Sequence, residues 1–304
     1  MKNFITLDDF SQSDLIKLIG LSAKIKKSPG AFKSVLEGKH IGLLFEKPSL
    51  RTKTVFYIGA LQLGAGAIYY TPAEVKLGER EKVCDVAKTL SLYLDAVVLR
   101  TFSHNDILEF TKFSSIPVVN GLSDLLHPSQ ALADVFTIQE LKGQIDKVRV
   151  GYIGDGNNVC NSLLYAFSIL GGKLTVATPS GYLPAKSVLG KIKSYCRKSG
   201  ADIKFVSSVR EAANSADILY TDAWTSMGRE KEAGKRKKVF KNFQINDKIL
   251  KQAKKDCKVM HCLPAHRGQE ITDSVIDGKN SAVFLQAANR LHAAKAILTY
   301  IFQR

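Results

Sequence analysis

The 304-residue chain has no apolar run near the ~18 residues that a membrane-spanning helix needs. Its opening residues include Asp8 and Asp9, where a secretory leader would be apolar. Both absences predict a cytoplasmic protein with no membrane partner. Disulfide and zinc signatures are missing too. The five cysteines, Cys84, Cys160, Cys196, Cys257 and Cys262, are odd in number, and none pair at C-x-x-C spacing. His261 and His266 stand five apart, one residue beyond the i, i+4 pair of a zinc-binding helix, so no metal site is expected. There is no repeat of about 20–50 residues and no low-complexity segment. What remains is ordinary globular usage, 45% hydrophobic and 24% charged, in a length that suits two domains of about 100–200 residues each.

Charge is unevenly spread. Of the net +16, residues 1–140 carry +1 and residues 141–304 carry +15. A basic half suits a polyanion or a small anionic ligand. Its densest run is Lys235-Arg236-Lys237-Lys238, flanked by Lys231 and Lys241. With Glu230 and Glu232 alongside and no interleaved aromatics, it reads as a solvated helix face, and no nucleic-acid partner is expected.

Short apolar runs alternate with amphipathic ones. Strands are predicted at 41–45, 67–70, 96–99 and 118–119, with helices at 14–26, 52–63, 80–94, 105–113 and 129–141. The pattern then restarts, with strands at 148–153, 174–177, 203–206, 218–220 and 258–260 and helices at 159–170, 185–199, 209–213 and 286–302. This alternation implies an α/β protein of two doubly wound parallel-sheet domains, linked by helices, with terminal helices packing across. The domains are expected at 1–140 and 141–285, with the last helix, 286–304, packing on the first. Loops after strands should carry the chemistry, because ligands of such sheets bind outside the carboxyl ends of the strands.

Several such loops are rich in polar groups. Ser49-Leu50-Arg51-Thr52-Lys53 follows a strand and opens a helix, where free N–H groups, two hydroxyls and a guanidinium form an anion cradle. The alternative is that Ser49 is only a helix cap and Arg51 and Lys53 are solvated. Arg100 follows the strand at 96–99, a fair place for a site residue; a surface Arg is the alternative. His127-Pro128-Ser129-Gln130 pairs an imidazole able to polarise a carbonyl with an amide one turn on; a structural cap is the alternative. Gly151-Tyr152-Ile153-Gly154-Asp155-Gly156-Asn157-Asn158 suggests a dinucleotide site, yet its spacing is G-x-x-G-x-G and no acid follows near 174–178. A tight turn offering Asn157 or Asn158 to a polar ligand fits better. Asp222, Ser226 and Met227 follow one strand, and His261-Cys262-Leu263-Pro264 follows another. Arg290 lies near the start of the closing helix.

Taken together and in this order, these segments resemble the aspartate/ornithine carbamoyltransferase family over nearly the whole chain. Ser49-Leu50-Arg51-Thr52-Lys53 resembles its carbamoyl-phosphate motif S-T-R-T-R, with Leu50 for Thr and Lys53 for Arg. His127-Pro128-Ser129-Gln130 resembles H-P-x-Q. Asp222-x-x-x-Ser226-Met227-Gly228 and His261-Cys262-Leu263-Pro264 resemble the signatures of the branch that uses ornithine. Lys76 resembles a lysine of the aspartate branch that reaches a neighbouring subunit's site.

The resemblance implies carbamoyl transfer from carbamoyl phosphate to L-ornithine, giving L-citrulline and phosphate, with no cofactor and a homotrimer or an assembly of trimers. It implies that Ser49, Leu50, Arg51 and Thr52 hold phosphate and that Arg100 bridges phosphate and carbonyl. Thr52, Arg100 and His127 steady the oxyanion, Gln130 and Leu263 bind the carbamoyl NH₂, and Arg290 assists at the carbonyl. Asn158, Asp222, Ser226 and Met227 bind ornithine, and Asp222 with Cys262 steers its δ-amine. Alternatives are N-acetylornithine, N-succinylornithine or putrescine as acceptor; outside the family, a basic nucleic-acid-binding protein or a nicotinamide oxidoreductase.

Overall fold

In the computed structural model, which describes residues 2–225 and 230–303, the chain divides into two compact units. The first is 1–136 with 289–304, and the second is 137–288. The expected boundary at 140 lies inside a helix, and the division falls a turn earlier in that same helix.

In the first unit, β1 (His40–Phe45) is buried along all but its first residue. A strand needing cover on both faces belongs inside a parallel sheet. It lies between β2 (Gly66–Tyr70) and β3 (Ala96–Arg100), and β4 (Val118–Leu122) follows, giving the order β2-β1-β3-β4 with every pair parallel. Residues Phe4 and Asn3 cover the free edge of β4, where the Phe4 N–H donates to the Val118 carbonyl at 2.9 Å. The helices are α1 (Gln12–Lys27), α2 (Arg51–Gln62), α3 (Pro72–Val75), α4 (Val83–Leu90), α5 (His104–Phe113) and α6 (Pro128–Lys142). A Ser11–Asp14 capping box starts α1.

The second unit has β5 (Arg149–Ile153), β6 (Lys173–Ala177), β7 (Asp202–Val206), β8 (Ile218–Thr221) and β9 (Lys258–His261) in the parallel order β7-β6-β5-β8-β9. Its helices are α7 (Asn158–Leu170), α8 (Lys186–Ser199), α9 (Val209–Ala213), α10 (Ala233–Phe240), α11 (Asp247–Leu250) and α12 (Asp273–Ile276). The closing helix α13 (Val283–Phe302) begins in the second unit and ends in the first. There Lys26 of α1 donates to Asn289 at 3.0 Å and Lys295 donates to Gln62 of α2 at 3.0 Å, so the terminal helices of the chain do pack together. No described helix is long and apolar enough to cross a membrane.

Both sheets reverse their winding once, between β1 and β3 and between β5 and β8. A crevice opens at such a reversal, beyond the carboxyl ends of the strands. The predicted helix at 80–94 is shorter than expected. Gly78 at φ +77° and the Leu77–Glu81 bridge draw residues up to 82 into a turn, and the Ser91 hydroxyl closes the other end by bonding the Ala87 carbonyl.

Candidate active site

In the first unit the register sets Phe45 opposite Arg100, so the loop after β1 and the last residue of β3 come to the same sheet edge. Leu50, not Ser49, stands at the cap of α2, and no side chain caps that helix. Ser49 is therefore not the helix cap. Leu50 is 77% exposed, whereas Thr52 is buried. Arg290 reaches back from α13 and donates to the Thr52 hydroxyl at 2.9 Å. Lys53 lies over the Tyr69 ring at 3.6 Å, stacked on an aromatic face instead of solvated.

Arg100 is buried, and its pKa is pushed down to about 10 by burial first and then by Arg290 and Arg51. His127 is buried as well. Burial, Arg290 and Arg100 hold its pKa well below the ordinary 6.5, so it is a neutral imidazole at pH 7. Three guanidinium groups and a neutral imidazole within electrostatic reach of one another suit a ligand that is anionic at one end and carries a polarisable oxygen at the other. Gln130 is fully buried one turn into α6, and its Nε2 donates to Asp134 at 2.8 Å.

In the second unit Asp222 follows β8 and is largely buried. Asn157 donates to its Oδ2 at 2.7 Å, the Ala223 N–H to its Oδ1 at 2.7 Å, and the Cys262 thiol to its Oδ1 at 2.9 Å. Asn157 also caps α7 by accepting from the Val159 and Cys160 N–H groups. Cys262 and Leu263 follow β9 on a loop held by His261. Its Nδ1 accepts from the Leu263 N–H at 2.9 Å, and its Nε2 bonds Glu270 at 3.1 Å. This keeps Leu263 at φ +58°, a conformation a branched side chain rarely adopts. Asp222, His261 and Cys262 bring one ligand-type atom each within 4.8 Å, and all three bond protein neighbours. Asn158 opens α7 beside the cap.

Residues 2–140 match the carbamoyl-P binding domain, and residues 146–301 the Asp/Orn binding domain, of aspartate/ornithine carbamoyltransferase. The chain belongs to the aspartate/ornithine carbamoyltransferase family. An ornithine carbamoyltransferase of Oceanobacillus iheyensis is 46% identical over 98% of this chain and 93% of its own length. The solved ornithine carbamoyltransferase of Pyrococcus furiosus is similar at TM-score 0.94 and 42% identity, covering 98% of this chain and 96% of that one. The anabolic enzyme of Campylobacter jejuni gives TM-score 0.95 at 36% identity, over 99% of both chains.

Within this carbamoyltransferase fold, the glycine-rich turn after β5 has a packing role. A Cβ at Gly156 would meet the backbone of residues 182–184 at 2.3–2.6 Å, so the turn is closed against chain where a dinucleotide would need room. The basic run needs one correction. Its lysines are exposed, but Arg236 is buried, donating to Asp155 at 2.7 Å, to Glu232 at 2.9 Å and to the Trp224 carbonyl at 2.9 Å. An i, i+4 acid and a facing carboxylate bring this cation inside. Ser226 and Met227 lie outside the described residues. Lys76 is exposed at φ +29° on the turn after α3. Asn157, offered from sequence to a polar ligand, instead caps α7 and holds Asp222. Asp134 and Glu270 were given no role from sequence, and of these only Asp134, at i, i+4 from Gln130 on a helix, left a readable signal.

Proposed function

We propose that the chain transfers the carbamoyl group of carbamoyl phosphate to the δ-amine of L-ornithine, giving L-citrulline and phosphate. One observation carries the choice of acceptor: the Asp222 carboxylate, bonded by the Cys262 thiol at 2.9 Å, at the carboxyl edge of the second sheet. A buried acid with a soft polar neighbour attracts an ammonium group. It would repel the second carboxylate of an aspartate acceptor.

Ser49, the Leu50 N–H, Arg51 and Thr52 bind the phosphate, and Arg100 spans phosphate and carbonyl oxygens. Thr52, Arg100 and the neutral His127 donate to the carbonyl oxygen as negative charge grows there, and Arg290 supports them. Gln130 and the Leu263 carbonyl accept from the carbamoyl NH₂. Asn158, Ser226, the Met227 N–H and Asp222 bind the α-groups of ornithine. Asp222 and Cys262 orient the δ-amine, which must shed a proton to expose its lone pair. The C–N bond then forms as the C–O bond to phosphate breaks. Phosphate leaves with the electron pair and takes one proton, and the second amine proton passes to solvent. Cys262 forms no covalent bond, and orientation of the two reactants supplies much of the rate. A cytoplasmic location, a role in arginine biosynthesis and a homotrimer, alone or in a larger assembly, with Lys76 reaching a neighbouring subunit, complete the proposal.

The test is ureido-product formation from carbamoyl phosphate with L-ornithine, N-acetyl-L-ornithine, N-succinyl-L-ornithine, putrescine and L-aspartate. Strong preference for ornithine is expected. Preference for another amine overturns the acceptor, and no product with any amine overturns the reaction.

A further inference from the structure

Gln130 and Asp134 lie one turn apart on α6, and both are fully shielded from solvent. An amide has a donor end and an acceptor end, so its orientation decides what it can recognise. Here the Nε2 group donates to Asp134 Oδ1 at 2.8 Å. Turning the amide over would set its oxygen against a carboxylate oxygen with no proton between them. Gln130 is therefore held with its oxygen as the end left for a ligand. That oxygen, Oε1, is buried and has no hydrogen-bond partner among the described residues. A buried acceptor without a donor is destabilising, so the site favours a ligand that brings an N–H to it.

We propose that Asp134 is a positioning residue for donor choice, holding Gln130 so that it accepts from an NH₂ and discriminates against a methyl group in the same place. The inference rests on the reading that the first unit takes carbamoyl phosphate. It adds that preference over an acyl phosphate of the same shape, such as acetyl phosphate, depends on a carboxylate that itself touches no substrate. An asparagine at 134 would offer its own NH₂ to Gln130 Oε1 and reverse the amide.

The experiment uses a matched pair of stable analogues, phosphonoacetamide, which ends in NH₂, and acetonylphosphonate, which ends in CH₃. The purified full-length protein should bind the amide more tightly, by about tenfold. In Asp134→Asn the ratio should fall to about one while affinity for inorganic phosphate changes less than about twofold, a pattern that general loosening of the site would not give. In Gln130→Ala the ratio should also be about one, and adding Asp134→Asn should then change nothing further. A ratio kept in Asp134→Asn overturns the role of Asp134. Equal binding of both analogues by the unaltered protein overturns it too, while leaving the phosphate cradle standing. Binding of neither analogue removes the donor reading and this inference with it. If Asp134→Asn does not fold, the unaltered protein decides. Its Gln130 side-chain NH₂ should be protected from hydrogen exchange and its NMR signal should move little on saturation with phosphonoacetamide. A large shift or lost protection would mean that the NH₂ faces the ligand, contrary to the proposal.

Discussion

At the strand ends of the first unit, Arg51, Arg100 and Arg290 stand near one another and beside a buried imidazole. At the strand ends of the second, a single carboxylate is met by an amide, a thiol and a backbone N–H. The first cluster is buried and charged with one sign, so burial first and then the members' mutual repulsion push Arg100 and His127 toward their neutral forms. The second is an acid already surrounded by donors. An anion should therefore relieve strain in the first cluster, whereas a cation entering the second must compete with donors already in place. Phosphate and its analogues should accordingly bind the free protein more tightly than ornithine does, and so stabilise it more against heat at equal concentration.

The largest effect should come from breaking the cationic cluster. Arg51→Ala is expected to lower kcat/KM by about 10³-fold, because a fork of donors to the transferring group is lost at the point where charge develops. Near-normal turnover in steady-state assays would remove Arg51 from the phosphate cradle. Arg236→Met tests the second unit's own buried ion pair. It leaves Asp155 without its cation and should cost about 3 kcal/mol in urea unfolding. Adding Asp155→Asn should recover part of that loss. Full additivity of the two changes would show that the pair is not coupled.

Asp222→Ala should raise the KM for ornithine by about 100-fold, since a charged partner is lost from a buried site. Binding of phosphonoacetamide to the first unit should not change. If donor binding weakens as much as ornithine binding, the two clusters are not separable in function and the contrast between them fails.

The two clusters also differed in how readable they were. The first was visible because its residues come in contiguous blocks, Ser49 to Lys53 and His127 to Gln130, each at a strand-to-helix junction where anion binding has a local cause. The sheets were readable for a similar reason: apolar runs such as Ile41 to Phe45 and Val97 to Leu99 need cover on both sides. The second cluster joins Asn157, Asp222 and Cys262, which lie far apart in the chain and meet only because β5, β8 and β9 are neighbours. Periodicity gives the strands but not their order, so the Asn157–Asp222 bond had no sequence signal. Arg236 was misread for the opposite reason. Four basic residues in a row look like a solvated face, and only the fold brings Asp155 to one of them.

The smallest effect expected is a pH slope, and it tests the origin of the neutral imidazole. Unfolded, His127 should titrate near the ordinary 6.5; in the native chain, burial and then Arg290 and Arg100 hold it well below that. Below about pH 6.5 the unfolded chain thus binds a proton that the native chain refuses, and stability falls as pH falls. The loss is at most about 1.4 kcal/mol for each pH unit, continuing until the native imidazole also titrates. His127→Asn should remove this share of the slope in urea unfolding followed from about pH 7 to about pH 5. Saturating inorganic phosphate should shrink it in the unaltered protein, because a neighbouring anion favours the charged imidazole. Equal slopes with and without His127 would mean that neither burial nor the guanidinium cluster holds the ring neutral. A slope that phosphate leaves unchanged would mean that burial alone holds it neutral, and the imidazole would then drop out of the self-repulsion that sets the first unit apart from the second.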